Sequence, residues 1–328
     1  MTRLIIDCDP GNGIPGANVD DGLALALALA ARPALTLEMV TIVAGNTPRE
    51  VGASVATALL AAAGRPIKVI PGAARALLEP PEPWRAYLDR ATKDPSMTVL
   101  WEGTTRPQPV APTTPNAAIA MGELIVGNPG QITLVAIGPL TNVAHALHLY
   151  PEMAQAVKEI VIMGGVFGIE GYIKDTNFAV DPEAARLVLS SGANITLAPL
   201  DATTQTMLTH ADLDRLTAAD NALCRYVSET THPWIDYSMR TRKLPGCWIH
   251  DVLTVAWLLE PELVTTDEYY VDVAVDGALT RGSSRRWKPG SLRLTVGLPE
   301  PQGRPVRIME RVDNARLLAL IERTLATA

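Results

Sequence analysis

The sequence predicts a single α/β domain of 328 residues, with a mostly parallel, doubly wound central sheet flanked by helices. Three observations predict it. Short runs rich in Val, Ile and Leu recur along the chain, each stopped by a glycine, a proline or a polar break. A helical stretch follows most of them, which is the rhythm of strand–helix–strand crossovers. The runs are continuously apolar rather than alternating, as parallel strands buried on both faces require.

Leu4 to Cys8 is the first such run, and Leu23 to Ala31, rich in Leu and Ala, reads as the first helix. Leu37 to Val43 is the second strand and stops at Gly45-Asn46, after which Arg49 to Ala63 reads as a helix. Ile67 to Ile70 ends at Pro71-Gly72, and Ile132 to Ile137 ends at Gly138-Pro139 before a helix through Ala144. Ile160 to Met163 stops at Gly164-Gly165, and Ile195 to Leu197 leads to Asp201. Two regions leave this rhythm. Residues 80–115, rich in proline and charge with Trp84 and Trp101 embedded, read as a long excursion over the sheet. Tyr269 to Asp276 and Leu292 to Val296 read as a late hairpin joined by a basic loop, Arg281 to Lys288; Asp313 to Ala326 closes the chain as an amphipathic helix. No repeat and no linker poor in apolar residues divides the chain, so residues 1–328 are expected to form one domain.

Composition narrows the function. With 48% hydrophobic and 19% charged residues the chain can bury a large core and is neither disordered nor fibrous. A net charge of −7 leaves no basic footprint for nucleic acid. No apolar stretch reaches the roughly 18 residues of a spanning helix, so no membrane partner is expected. Met1 runs directly into a strand-like segment, so no secretory signal is expected. Cys8, Cys224 and Cys247 are odd in number and widely spaced, which suits a reducing compartment, the cytoplasm.

In open α/β sheets ligands bind at the carboxyl ends of the strands, so the polar residues there are the candidates. The first strand delivers Asp7 and Asp9, followed by Asp20 and Asp21 at the next helix; the second delivers Asn46. Further along stand Asp175, Asn177, Asp181 and the pair His250-Asp251. Converging carboxylates raise one another's pKa, and a hard divalent cation with a taste for oxygen ligands removes that conflict. Cysteine and histidine are too sparse for zinc or copper, which leaves Ca²⁺ or Mg²⁺.

The run Ile5-Ile6-Asp7-Cys8-Asp9-Pro10-Gly11, followed by Val19-Asp20-Asp21, resembles the opening of the inosine-uridine-preferring nucleoside hydrolases. The resemblance continues through Val43 to Asn46, Ile137 to Asn142, Ile162 to Gly165, Asn177-Phe178, Val180 to Ala185 and His250-Asp251, in family order and over most of the chain. It implies a Rossmann-like sheet of the nucleoside hydrolase fold and Ca²⁺-dependent hydrolysis of the N-glycosidic bond of ribonucleosides. Asp9, Asp21, Asp251 and the main-chain carbonyl of Ile137 match the Ca²⁺ ligands, with Asp7 beside the metal. Asp9 also matches the general base that takes a proton from a Ca²⁺-bound water. Asp20, Asn46, Met163 and Asn177 match ribose-contacting positions, and His250 matches either the proton donor to the leaving base or a histidine hydrogen-bonded beside the site. The partners it implies are a small-molecule ribonucleoside and further copies of the chain, in a dimer or tetramer.

The pattern is broken in two places. Asn12 to Val19 stands where the family usually has one residue, and this loop is expected over the pocket mouth, with Asn12 or Asn18 within reach of substrate. Asp175 stands where the family usually has a glutamate, and Val166 to Ile173 lacks the family's asparagine; both changes touch the 5′ side of the sugar. Trp101, Trp234, Tyr237 and Trp248 are the candidates for stacking on the base. Two alternatives remain at this level: a nucleoside-binding protein without turnover, and a Mg²⁺ phosphatase of the haloacid dehalogenase type, which also opens on Asp-x-Asp.

Overall fold

The central strand β1 (Thr2–Cys8) shows how the sequence builds the sheet: Leu4, Ile6 and Cys8 point into one apolar layer and Ile5 into the other, all fully buried. A strand covered on both faces has no use for polar alternation, so its sequence is continuously apolar. The computed structural model describes residues 1–82, 84–111, 114, 116–291 and 303–328. Around β1 lie β2 (Leu35–Ile42), β3 (Lys68–Pro71), β4 (Ile132–Ala136), β5 (Glu159–Met163) and β6 (Ile195–Ala198). Their spatial order is β3-β2-β1-β4-β5-β6, all parallel. That is the doubly wound order, and it puts the topological switch point between β1 and β4.

The remaining strands are β7 (Met207–Leu208), β8 (Cys247–Trp248), β9 (Val264–Val273), β10 (Ser284–Trp287) and β11 (Val306–Val312). β11 adds parallel to β6, β9 antiparallel to β11, and β10 antiparallel to β9, giving nine strands among the described residues. β7 and β8 form a separate antiparallel pair. The late hairpin therefore differs from expectation. The partner of β9 is β10, which lies inside the segment expected as a basic loop: arginines 285 and 286 alternate across an edge strand, where charge is tolerated and discourages further pairing. Leu292 to Val296 lies outside the described residues, as do residues 83, 112, 113 and 115 of the excursion.

Two apolar layers cover the sheet. Helices Asp20–Ala30, Val252–Leu259 and Asn314–Leu325 pack on one side, and Ala117–Val126, Thr141–Leu149 and Pro182–Leu189 on the other. In Asp20–Ala30 every residue is buried. Its Leu-Ala alternation has a strand's period, yet both residues are strong helix formers, and alanine lets the helix lie close between sheet and outer helices. Each leucine buried there contributes about 1.5–3 kcal/mol of transfer free energy. Among the described residues no helix is long and apolar enough to cross a membrane.

Candidate active site

Five aspartates converge at the switch point, all 3% exposed or less: Asp7, Asp9, Asp20, Asp21 and Asp251. β1 delivers Asp7 and Asp9; the first turn of helix Asp20–Ala30 delivers the next two. The β7–β8 pair fixes the last, because β8 ends at Trp248 and Asp251 sits at the N-terminus of helix Val252–Leu259. Carboxylates at two helix starts are favoured by the partial positive charge there.

The hydrogen bonds give each aspartate a different job. Asp7 Oδ1 accepts from Thr41 Oγ1 at 2.6 Å and Asn142 Nδ2 at 2.8 Å, tying β1 to β2 and to helix Thr141–Leu149. Asp9 Oδ2 accepts from the Asn46 main-chain N–H at 2.5 Å, and Asp21 Oδ1 accepts from the Asp9 N–H at 2.9 Å. Asn46 Nδ2 lies 3.4 Å from Asp9 Oδ1 and 3.3 Å from Asp21 Oδ2. The Asp251 N–H donates to Asp20 Oδ2 at 3.3 Å. The approach of Gly45 to Asp9 is so close that a Cβ would lie 1.8 Å from Asp9 Oδ2. Only glycine fits there.

Burial pushes all five carboxyls up; for Asp7 the value reaches about 7. Mutual repulsion adds to it, from Asp9 on Asp21 and from Asp20, Asp21 and Asp9 on Asp251. Asp20, Asp21 and Asp251 bring oxygens within 4.8 Å of one another, a group that could hold a metal ion. The donor set fits a hard cation. It is all oxygen, and Asp7 Oδ2 and Asp20 Oδ1 are buried with no hydrogen-bond partner among the described residues. Ile137 ends the strand beside β1, and its carbonyl accepts from Asn177 Nδ2 at 2.9 Å.

A cavity of about 540 Å³ opens over the aspartates. Asp20, Asn46, Ile137, Met163, Asp175, Asn177, Trp248, His250 and Asp251 line it, so the chain brings together nearly all the residues singled out from the sequence. Asn177 Nδ2 is spent on the carbonyls of Ile137 and Met163, so the acceptor oxygen is what this amide offers. Asp175 caps the helix Thr176–Val180 through the Phe178 N–H at 3.1 Å. Its Oδ2 is buried without a partner among the described residues, and burial lifts its carboxyl to about 6. His250 Nδ1 lies 2.7 Å from Thr203 Oγ1, and its ring is tilted against Trp248, with centroids 5.7 Å apart. Burial and then the Arg242 charge lower its pKa to about 3, so the ring is neutral.

Trp234, Tyr237 and Trp248 line the cavity, but Trp101 does not: it packs behind Tyr237, with ring centroids 5.8 Å apart. Among the residues that sequence reasoning missed, Arg85 matters most. Its guanidinium donates to the carbonyls of Gly45 (2.5 Å) and Asn46 (2.9 Å) and pairs with Asp89. The excursion thereby holds the loop that orients Asp9. Thr203 was also unmarked, and so was the 21-residue helix Ala222–Arg242 as an element, although two of its residues, Trp234 and Tyr237, were stacking candidates. No local pattern signals any of the three, since each reaches the site from a distant part of the chain.

Comparison with known proteins agrees with this geometry. The family model described as inosine-uridine preferring nucleoside hydrolase matches residues 4–319. Pyrimidine-specific ribonucleoside hydrolase RihA of Citrobacter koseri is 34% identical over 284 residues, covering 85% of this chain and 86% of the relative. Among solved structures, a plant nucleoside hydrolase superposes with a TM-score of 0.83 at 26% identity, covering 100% of this chain and 99% of the other. A purine-preferring ribonucleoside hydrolase from Gardnerella vaginalis does so with a TM-score of 0.80 at 27% identity, over 100% of both chains. These matches set aside the phosphatase alternative. The chain belongs to the inosine-uridine-preferring nucleoside hydrolase family, hydrolases that act on N-glycosyl compounds.

Proposed function

We propose that this protein hydrolyses the N-glycosidic bond of ribonucleosides to ribose and free base, and that Ca²⁺ is the ion its aspartates hold. One observation carries the reading: five buried carboxyls meet at the switch point beneath a cavity of about 540 Å³ walled by aromatic rings. Asp9, Asp21, Asp251 and the Ile137 carbonyl are the ligands in this proposal, with Asp7 behind them. The clustered Asp20 lies close enough to join them. When bound, such a cation neutralises the carboxylates and acidifies a water.

Asp9 accepts the proton of the attacking water. Its carboxyl is fixed by the Asn46 N–H, which holds one oxygen and leaves the other to take the proton. Asp20, Asn46, Met163 and Asn177 receive the ribose. Acceptor oxygens around the sugar stabilise the positive charge that grows on C1′ as the base departs. Asp175 takes the 5′ side with a shorter reach than a glutamate. His250 faces the leaving base; in the tautomer whose Nδ1 accepts from the Thr203 hydroxyl, Nε2–H is the hydrogen offered. A neutral ring supports a hydrogen-bonding role more than that of an imidazolium acid. Trp248, beside it, supports stacking. The whole chain acts as one domain in this reading, in the cytoplasm, where its buried free cysteines Cys8, Cys224 and Cys247 stay reduced, and as a dimer or tetramer.

The relatives split between pyrimidine-specific and purine-preferring, so base preference is the open variable. The test is base release from a panel of ribonucleosides and their 2′-deoxy counterparts. The expected result is turnover of at least one ribonucleoside and a loss of about 10²-fold or more for its deoxy form, whose missing hydroxyl leaves buried acceptors unpaired. Tight binding with no release from any nucleoside would favour a binding protein without turnover.

A further inference from the structure

The loop from Asn12 to Val19 is a built wall of the cavity. Asn12 is fully buried, and its Nδ2 donates to Thr230 Oγ1 at 3.0 Å on the helix Ala222–Arg242. Two main-chain turns close the loop, Ile14 N–H to Gly11 O at 2.9 Å and Ala17 N–H to Ile14 O at 3.2 Å. Gly16 has a φ of +75°, and a Cβ there would meet the Ala91 Cβ at 2.2 Å. The excursion thus braces the loop from outside while Thr230 anchors it from inside. Residues 16–18 face the cavity.

Asn18 is the one polar side chain among those three. Its Oδ1 accepts from the Val19 N–H at 2.9 Å, which fixes the amide. The Nδ2 donor is left without a protein partner among the described residues. Its surroundings decide what it meets. Thr230, Trp234, Tyr237 and Thr241 recur at helical spacing on one face of Ala222–Arg242, so the loop anchored at Thr230 adjoins the aromatic wall. Of the proposed sugar contacts, Met163, Asp175 and Asn177 come from β5 and the helix after it, while Asp20 and Asn46 lie at the foot of the cavity beside the aspartates.

We propose that Asn18 Nδ2 donates a hydrogen bond to a carbonyl oxygen of the nucleobase, making Asn18 a specificity-determining residue for carbonyl-bearing bases. The inference rests on the ribonucleoside hydrolase reading. A base without a carbonyl offers this donor only ring nitrogens, which lie elsewhere on the base than an exocyclic carbonyl oxygen. The test measures kcat/KM for inosine, uridine and cytidine, and the inhibition constant or kcat/KM for adenosine, whose base has no carbonyl. These are compared between the wild type, Asn18→Ala and Asn18→Asp. Asn18→Asp keeps an acceptor for the Val19 N–H and so the local turn, while removing the donor. The expected result is a loss of about tenfold for the carbonyl-bearing nucleosides that the wild type turns over, with adenosine changed less than about twofold. Equal losses for adenosine, or no loss for the others, would overturn the assignment. No release from any nucleoside by the wild type would instead bring down the hydrolase reading, and this inference with it.

Discussion

Asp9→Asn is expected to lower kcat by about 10²–10⁴-fold, the range a positioned general base contributes, while leaving a folded protein. The asparagine keeps the size of the side chain, and its oxygen can still accept from the Asn46 N–H. The Asp9 main-chain N–H still donates to Asp21. What disappears is a basic oxygen and one of five buried acidic groups. Loss of the latter relieves repulsion on Asp21 and Asp251, so the melting temperature of metal-free protein should hold or rise. Steady-state base release and a thermal melt on the same preparation check both halves. Activity within tenfold of wild type would rule out Asp9 as the base.

Removing bound cation is expected to destabilise the protein, and more so at high pH. The sign follows from the direction of the shifts. Asp7 reaches about 7 when folded, and Asp9, Asp20, Asp21 and Asp251 are all raised above the ordinary carboxylate value. Groups raised on folding hold their protons more tightly in the native state. Their contribution is full below about pH 4, where the unfolded chain is also protonated, and is lost as pH rises through about 7. Metal-free protein should therefore melt at a lower temperature at pH 8 than at pH 5. A cation competes with those protons, so its stabilising effect should grow over the same interval. At a hundred times its dissociation constant it adds about 2.7 kcal/mol, which is a few degrees in a melt for a chain of this size. A metal-free melt that rises from pH 5 to pH 8 would contradict the assignment of these groups as the binding site.

Much of the scaffold was legible because its causes are local. A parallel strand buried on both faces must be apolar throughout, and β1, β2, β4, β5 and β6 announce themselves that way. The aspartates were legible too, since four of the five sit within one strand–loop–helix unit where solubility gives no reason for them. β10 and β11 were not. β10, Ser284 to Trp287, is a charged edge strand, and β11, Val306 to Val312, carries Arg307, Glu310 and Arg311 although it lies between β6 and β9, so neither shows the continuous apolar run of the others. The same limit hid Arg85 and Thr203. A guanidinium reaching 40 positions back to Gly45, or a hydroxyl meeting a histidine 47 positions on, has no signature in neighbouring residues. The inserted loop was visible as a departure in the sequence, but only packing shows that Asn12 is an anchor and Asn18 a wall residue.

Cleavage by this protein is expected to require a divalent cation held by the aspartate cluster. Base release from the best substrate of the nucleoside panel, by chelator-treated protein with cations then added back singly, tests it most directly. Chelated protein should release no base, and Ca²⁺ should restore turnover. Undiminished release from protein shown to be metal-free would contradict the claim.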